Sequence, residues 1–143
     1  MKNLAHKLIN FSIMVVLLII VTTLGIESAQ AAPSTFQKTC TEIHLESVKT
    51  NPTLSAVCRQ RNQLPHQTCL RLKGIENIDG NLEQYPLTQA STFQKSCRRI
   101  SIKIRKKGAI ITAKCRRRDQ SKKRTSLVLQ DIENIDGNLQ YGG

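Results

Sequence analysis

Aromatic residues are scarce and tryptophan is absent: two Tyr and three Phe make up 3% of the 143 residues. Aromatics usually supply much of a core's buried area, so only a modest core is available. Acidic residues are also few, 10 against 22 Lys and Arg, which gives a formal net charge of +12. The length accommodates one domain or two very small ones. A multidomain enzyme with a series of βαβ units does not fit. No stretch carries a long 3.6-residue period, so long amphipathic helices are excluded. The G-x-S-x-G, Walker and H-E-x-x-H patterns are missing, and with them the chemistries they serve. Hydrophobic content, at 39%, is ordinary, which argues against wholesale disorder.

At the N-terminus, Lys2 and Lys7 precede an almost wholly apolar run, Phe11 to Val21, and Ala29-Gln30-Ala31 follows. A positive start, a short apolar run and small residues at a cleavage site predict a signal peptide over residues 1–32. Eleven strongly apolar residues fall short of the roughly 20 that cross a bilayer, so stable membrane insertion is not expected. The mature chain is expected to begin at Ala32 or Pro33 and to be secreted or periplasmic. Disulfides persist in those compartments.

An internal repeat dominates what remains. Ser34-Thr35-Phe36-Gln37-Lys38-Thr39-Cys40 returns as Ser91-Thr92-Phe93-Gln94-Lys95-Ser96-Cys97. Ile75-Glu76-Asn77-Ile78-Asp79-Gly80-Asn81-Leu82 returns unchanged as Ile132 to Leu139. Both matches share an offset of 57 without a gap, and so do Cys58 and Cys115, Arg61 and Arg118, and Gln63 and Gln120. Residues 33–89 form one copy and residues 90–143 the other. The charge is not duplicated. The first copy holds 6 basic and 5 acidic side chains, the second 14 and 4.

Each copy reads as β structure. Ile100 to Arg105 alternates apolar and polar, as a half-buried strand does. Lys106-Lys107-Gly108 predicts a turn and Ala109 to Cys115 a returning strand; in the first copy the turn falls at Asn51-Pro52. Leu70 to Leu72 and Leu127 to Leu129 read as short third strands. Asp79-Gly80 and Asp136-Gly137 are hairpin signals, and the preceding Ile-Glu-Asn-Ile reads as one helical turn.

Cys40 to Cys58 and Cys97 to Cys115 have the same separation of 18. Equivalent positions of a repeat should pair equivalently, which predicts the bridges Cys40–Cys58 and Cys97–Cys115. A metal site fits poorly, for want of a C-x-x-C pair and of a repeated His at ligand spacing. Cys69, matched by Ser126, is left over as a buried free thiol or a half of an intermolecular bridge. His44 and His66 are matched by Ser101 and Lys123 and read as solvated surface residues. An acid–base pair of the ribonuclease kind finds no support in their spacing. No catalytic residue, metal or cofactor is expected.

The duplicated Glu-Asn-x-Asp-Gly segment is the strongest functional candidate. A turn with an Asn cap explains Asp-Gly alone. Retention of Glu76 and Glu133, and of Asn77 and Asn134, points further. Carboxylates and amides gathered at a tight turn suit the vicinal hydroxyls of a sugar.

Phe-x-x-[Thr/Ser]-Cys at the start of each repeat, a second Cys 18 residues on, and Ile-Glu-Asn-Ile-Asp-Gly-Asn-Leu at the end resemble the cyanovirin-N homologue family over residues 34–143. The resemblance implies an all-β, elongated, pseudo-symmetric fold with short 3-10 turns and strand exchange between repeats. It implies a non-enzymatic lectin for α1→2-linked mannose on high-mannose glycans, with two sugar sites. Each would join the start of one repeat to the end of the other. The first would gather Glu76, Asn77, Asp79, Ser91, Thr92, Lys95, Ser96, Arg118 and Gln120. The second would gather Lys38, Thr39, Arg59, Arg61, Gln63, Asn134, Ile135, Asp136 and Gly137. Lys95, Arg59 and Arg61 depart from the family pattern, the second site more than the first, so the first is expected to be the stronger. Exchange between repeats also allows a domain-swapped homodimer beside the monomer, with Gln84-Tyr85-Pro86 as the hinge.

The charge of the second repeat is not part of that resemblance. It reads either as a solvated basic face or as a surface for polyanions: nucleic acid, acidic polysaccharide or anionic membrane. The alternative function is therefore a cyanovirin-like protein that has lost sugar binding and holds polyanions instead.

Overall fold

The computed structural model describes residues 31–142. The expected signal peptide lies outside the described residues except for Ala31 and Ala32. Strands β1 (Cys40–Glu46), β2 (Thr53–Arg59) and β3 (Pro65–Arg71) form an antiparallel sheet in that order. A hairpin follows, made of β4 (Ile75–Ile78) and β5 (Asn81–Gln84). The pattern then repeats as the sheet β6 (Cys97–Arg105), β7 (Gly108–Arg116) and β8 (Lys122–Val128), and the hairpin β9 (Ile132–Ile135) and β10 (Asn138–Tyr141). Among the described residues no helix is long and apolar enough to cross a membrane.

Both expected bridges are present, each between residues directly opposite one another in the ladder: Cys40 with Cys58 and Cys97 with Cys115. They close the open end of each long hairpin. Just before each bridge, Phe36–Lys38 and Phe93–Lys95 make one 3-10 turn. The aromatic residue of each turn, Phe36 or Phe93, is fully buried. One scarce Phe is thus spent on the interior of each half. Alternation along β7 completes the core, with Ala109, Ile111, Ala113 and Cys115 buried.

The hairpins do not pack on the sheet of their own repeat. The β4–β5 hairpin lies against β8, where the Leu82 amide donates to Thr125 Oγ1 at 3.0 Å. The β9–β10 hairpin lies against β3, where the Leu139 amide donates to Thr68 Oγ1 at 3.1 Å. Each half therefore combines a sheet from one repeat with a hairpin from the other.

Two expectations are corrected. Ile-Glu-Asn-Ile is a strand in both copies, not a helical turn, because the Asp-Gly turn folds Asn81–Gln84 and Asn138–Tyr141 back onto it. Asp79 (φ 48°) and Gly80 (φ 86°) both take positive φ, as the tight primed hairpin turn requires. Cys69 is exposed, not buried. Leu70 and Leu72 face the interior, so the pleat turns Cys69 outward.

Between the repeats, the Gln89 amide closes a turn onto the Pro86 carbonyl, and the Gly74 amide donates to Gln89. Pro86 restricts Tyr85 to extended backbone. Pro86→Gly should shift any monomer–dimer mixture toward monomer on size-exclusion chromatography; an unchanged ratio removes the hinge role. Replacing Cys97 and Cys115 together with Ala should lower stability by about 3 kcal/mol, as read from urea unfolding.

Candidate functional site

Each hairpin meets the other repeat through the same set of side-chain bonds. In the first site Asn77 Nδ2 donates to Ser96 Oγ and to the Arg116 carbonyl, both at 2.8 Å. Its Oδ1 accepts the Gly80 amide at 2.8 Å. Asp79 Oδ1 accepts the Arg118 amide at 3.0 Å. The second site repeats this. Asn134 Nδ2 donates to Thr39 Oγ1 at 2.9 Å and to the Arg59 carbonyl at 2.8 Å, while Asn134 Oδ1 accepts the Gly137 amide at 2.8 Å. Asp136 Oδ1 accepts the Arg61 amide at 2.9 Å. Both amide hydrogens of each Asn are thereby used inside the protein. Asn77 and Asn134 build the site; they have no donor left for a ligand.

Ser91 is likewise committed. It is buried, and its hydroxyl accepts the Ile75 amide at 3.0 Å. Thr92 joins the same junction through its amide, which donates to the Ile75 carbonyl at 3.0 Å. Lys95 and Arg118 are exposed beside it, and Glu76 is half-buried. Gln120 closes the loop that presents Arg118, donating from Nε2 to the Arg118 carbonyl at 3.3 Å. Gln63 does the same for Arg61 at 3.4 Å.

At the second site the expected residues surround a cleft of about 550 Å³. Lys38, Thr39, Arg59, Arg61, Gln63, Asn134, Ile135 and Asp136 all line it. Gly137 lies behind the wall instead, where an added Cβ would come within 2.6 Å of Gln60 Cγ and 3.0 Å of His66 Cβ. Its counterpart Gly80 meets Arg117 Cγ at 2.8 Å and Lys123 Cβ at 3.2 Å. Gln60 and Arg117 are repeat equivalents, as are His66 and Lys123, so both hairpin tips need glycine for the same reason. His66 is accordingly more than a solvated residue: its Nδ1 lies 3.1 Å from the Gly137 carbonyl.

Gln60 and Thr41 also line the cleft and were not expected there. Their signal was closeness in sequence: Gln60 stands between Arg59 and Arg61, and Thr41 two residues after Thr39. Asn62 and Asp119 were missed similarly. Each caps the loop carrying the site's Arg: Leu64 donates to Asn62 Oδ1 at 3.0 Å, and Ser121 to Asp119 Oδ1 at 2.9 Å. Those Ser121 hydrogen bonds, helped by the charge of Arg117, hold the Asp119 carboxyl below its ordinary range. The support Asp119 gives this loop is present above the ordinary carboxylate pKa and is lost only as pH falls through the lowered value.

Residues 36–140 match the family model for the CVNH domain, well over half of the chain. The chain belongs to the CVNH domain family. The family consists of carbohydrate-binding lectins, not enzymes. The comparison with curated proteins finds no match. Among solved CVNH structures, the chain is similar to microvirin, determined as a mannobiose complex. The TM-score is 0.61 at 28% identity, covering 76% of this chain and 99% of microvirin. GzCVNH of Gibberella zeae shares the fold with a TM-score of 0.59 at 21% identity, covering 76% of this chain and 97% of its own. A variant of MoCVNH3, in complex with (N-GlcNAc)4, shares it with a TM-score of 0.60 at 16% identity, covering 79% and 99%. The tandem all-β architecture of the CVNH fold is thus the one this chain adopts.

Asn77→Ala should destabilise the fold by about 1–3 kcal/mol, since it leaves the Gly80 amide, the Arg116 carbonyl and Ser96 without their partner. Asn134→Ala should cost a similar amount. Urea unfolding of both variants checks this.

Proposed function

We propose that the protein is an exported lectin that binds high-mannose glycans through α1→2-linked mannose at two pseudo-symmetric sites. The observation that carries the reading is the cleft of about 550 Å³ in which hydroxyl, amide, carboxylate and guanidinium groups of both repeats converge. Sugar hydroxyls each donate and accept, and such a mixed wall can satisfy them together. The mannobiose bound to microvirin, a relative at 28% identity, supports mannose as the sugar.

The first site keeps Glu76, Asp79, Arg118 and Gln120 around its own Asn latch and is the stronger of the two in this reading. Arg59 and Arg61 depart from the family pattern at the second. Arg118→Ala and Arg61→Ala separate the sites cleanly, because each keeps the backbone amide that Asp79 or Asp136 holds. Titration calorimetry with a mannose disaccharide should show two sites per chain. Arg118→Ala should weaken the stronger site about tenfold to a hundredfold, as expected for losing a charge-assisted hydrogen bond. A larger loss from Arg61→Ala reverses the ranking, and no binding by the unmutated protein removes mannose as the ligand.

Export by cleavage near Ala31 fits the two disulfides. The Ala32 nitrogen lies 2.9 Å from Asp131 Oδ1. A new N-terminus at Ala32 would set its ammonium group against that carboxylate. N-terminal sequencing of the exported protein should read Ala32 first.

A further inference from the structure

The two sheets are near copies in geometry and differ sharply in charge. On the outer face of the second, Arg99, Lys103, Lys114 and Arg124 surround a recess of about 400 Å³ with Thr112 and Ser126 in its wall. A smaller recess of about 200 Å³ adjoins it, sharing Arg99 and Lys114 and adding Arg98, Arg116, Lys122 and Ser96, the last of which also holds Asn77. On the first sheet the equivalent positions hold Glu42, Glu46, Val57 and Gln67. The backbone is the same at both: each first strand carries a bulge, with Glu42 at φ 53° and Arg99 at φ 54°. The fold therefore does not require cations here. On the first sheet Glu46 is paired with His44 at 3.0 Å, the only ion pair among the described residues. Arg99, Lys103, Lys114 and Arg124 have no carboxylate partner among the described residues. Four unpaired cations around one recess repel one another, and an anion entering it relieves that repulsion.

We infer that the outer face of β6–β7–β8, centred on the larger recess and bordering the first sugar site at Ser96 and Arg116, is a further binding site for an anionic polysaccharide. Two observations select this polyanion. The recess combines cations with the hydroxyls of Thr112 and Ser126, which matches a chain carrying both acid groups and ring hydroxyls. No aromatic side chain lines it, so unpaired bases would find no stacking platform. A duplex is read by an element that protrudes into its groove, whereas these residues line a hollow. The site does not depend on mannose being the ligand elsewhere.

Heparin is the probe, titrated into the intact protein at low and at moderate salt. Arg99→Glu with Lys103→Glu installs the first repeat's residues, which the same backbone already carries at Glu42 and Glu46. This variant should bind heparin at least ~tenfold more weakly at low salt and lose most of the salt dependence. Lys106→Glu with Lys107→Glu makes the same charge change at the β6–β7 turn, outside both recesses, and should weaken binding much less. Mannose-disaccharide titrations should be the same for all three proteins. Lys114→Gln with Arg124→Gln, checked by thermal melt, gives an independent reading should the first variant fold poorly. Equal losses from the recess and turn variants would mean net charge alone and overturn the site. Tighter binding of a DNA duplex than of heparin at equal salt would overturn the polysaccharide assignment.

Discussion

The amide side chains of Asn77 and Asn134 hold the molecule together at its two junctions. Each spends three hydrogen bonds on ordering a hairpin tip and docking it on the other repeat. The contact is half-buried, where an unmade hydrogen bond is expensive and a made one gains only modestly. Its importance lies in that asymmetry. With the Asn in position, the Asp two residues on reaches the loop that carries Arg61 or Arg118, and Leu82 and Leu139 enter the core. The same bonds that complete the fold thus bring the walls of each candidate sugar site into register.

Much of this was legible in the sequence, for one physical reason. A duplication converts every local cue into two observations at a fixed offset. The disulfides, the hairpin tips and the three-stranded sheets follow from cues that agree between copies. Ile75 to Ile78 was misread because four residues are too short for periodicity to separate strand from helical turn. The Asp-Gly turn after it was the better guide, since a tight hairpin needs a strand on each side. Cys69 was misread for want of parity: Leu70 and Leu72 already fix which face of β3 is inward. Within the candidate sites, the sequence singled out the polar residues without separating those that bind from those that build. Asn77 and Ser91 look available as letters, and only the hydrogen-bond partners reveal that they are occupied. Gln60 escaped notice and His66 was read as solvated because both act by packing against a glycine in the other repeat.

The divergence between repeats follows the same division. The anchors of the core and junctions stayed alike (Phe36 and Phe93, the bridges, the hairpin tips), while Gln60 and His66, set against one tip, became Arg117 and Lys123 at the other. Positions on the outer sheet faces were free to change, and they changed in charge. One scaffold thereby carries a mildly mixed face on the first repeat and a strongly basic face on the second, with no cost to the interior.

The bridge of Lys73 with Ala90 and the bridge of Pro33 with Gln130 are repeat equivalents. The connection between repeats and the start of the fold therefore occupy matching places. The far end comes to the second of them too: the Gly142 amide donates to the Asp131 carbonyl, and the Asp131 amide donates to Ala32. Beginning and end meet at one residue, as the two sides of the linker do at Gly74. The contacts of this fold accordingly keep no record of which repeat is synthesised first. A circularly permuted chain, joined through Ala32 and Gly142 and opened near Pro86, would carry the same two junctions, the same cleft and the same basic face, read in the opposite order.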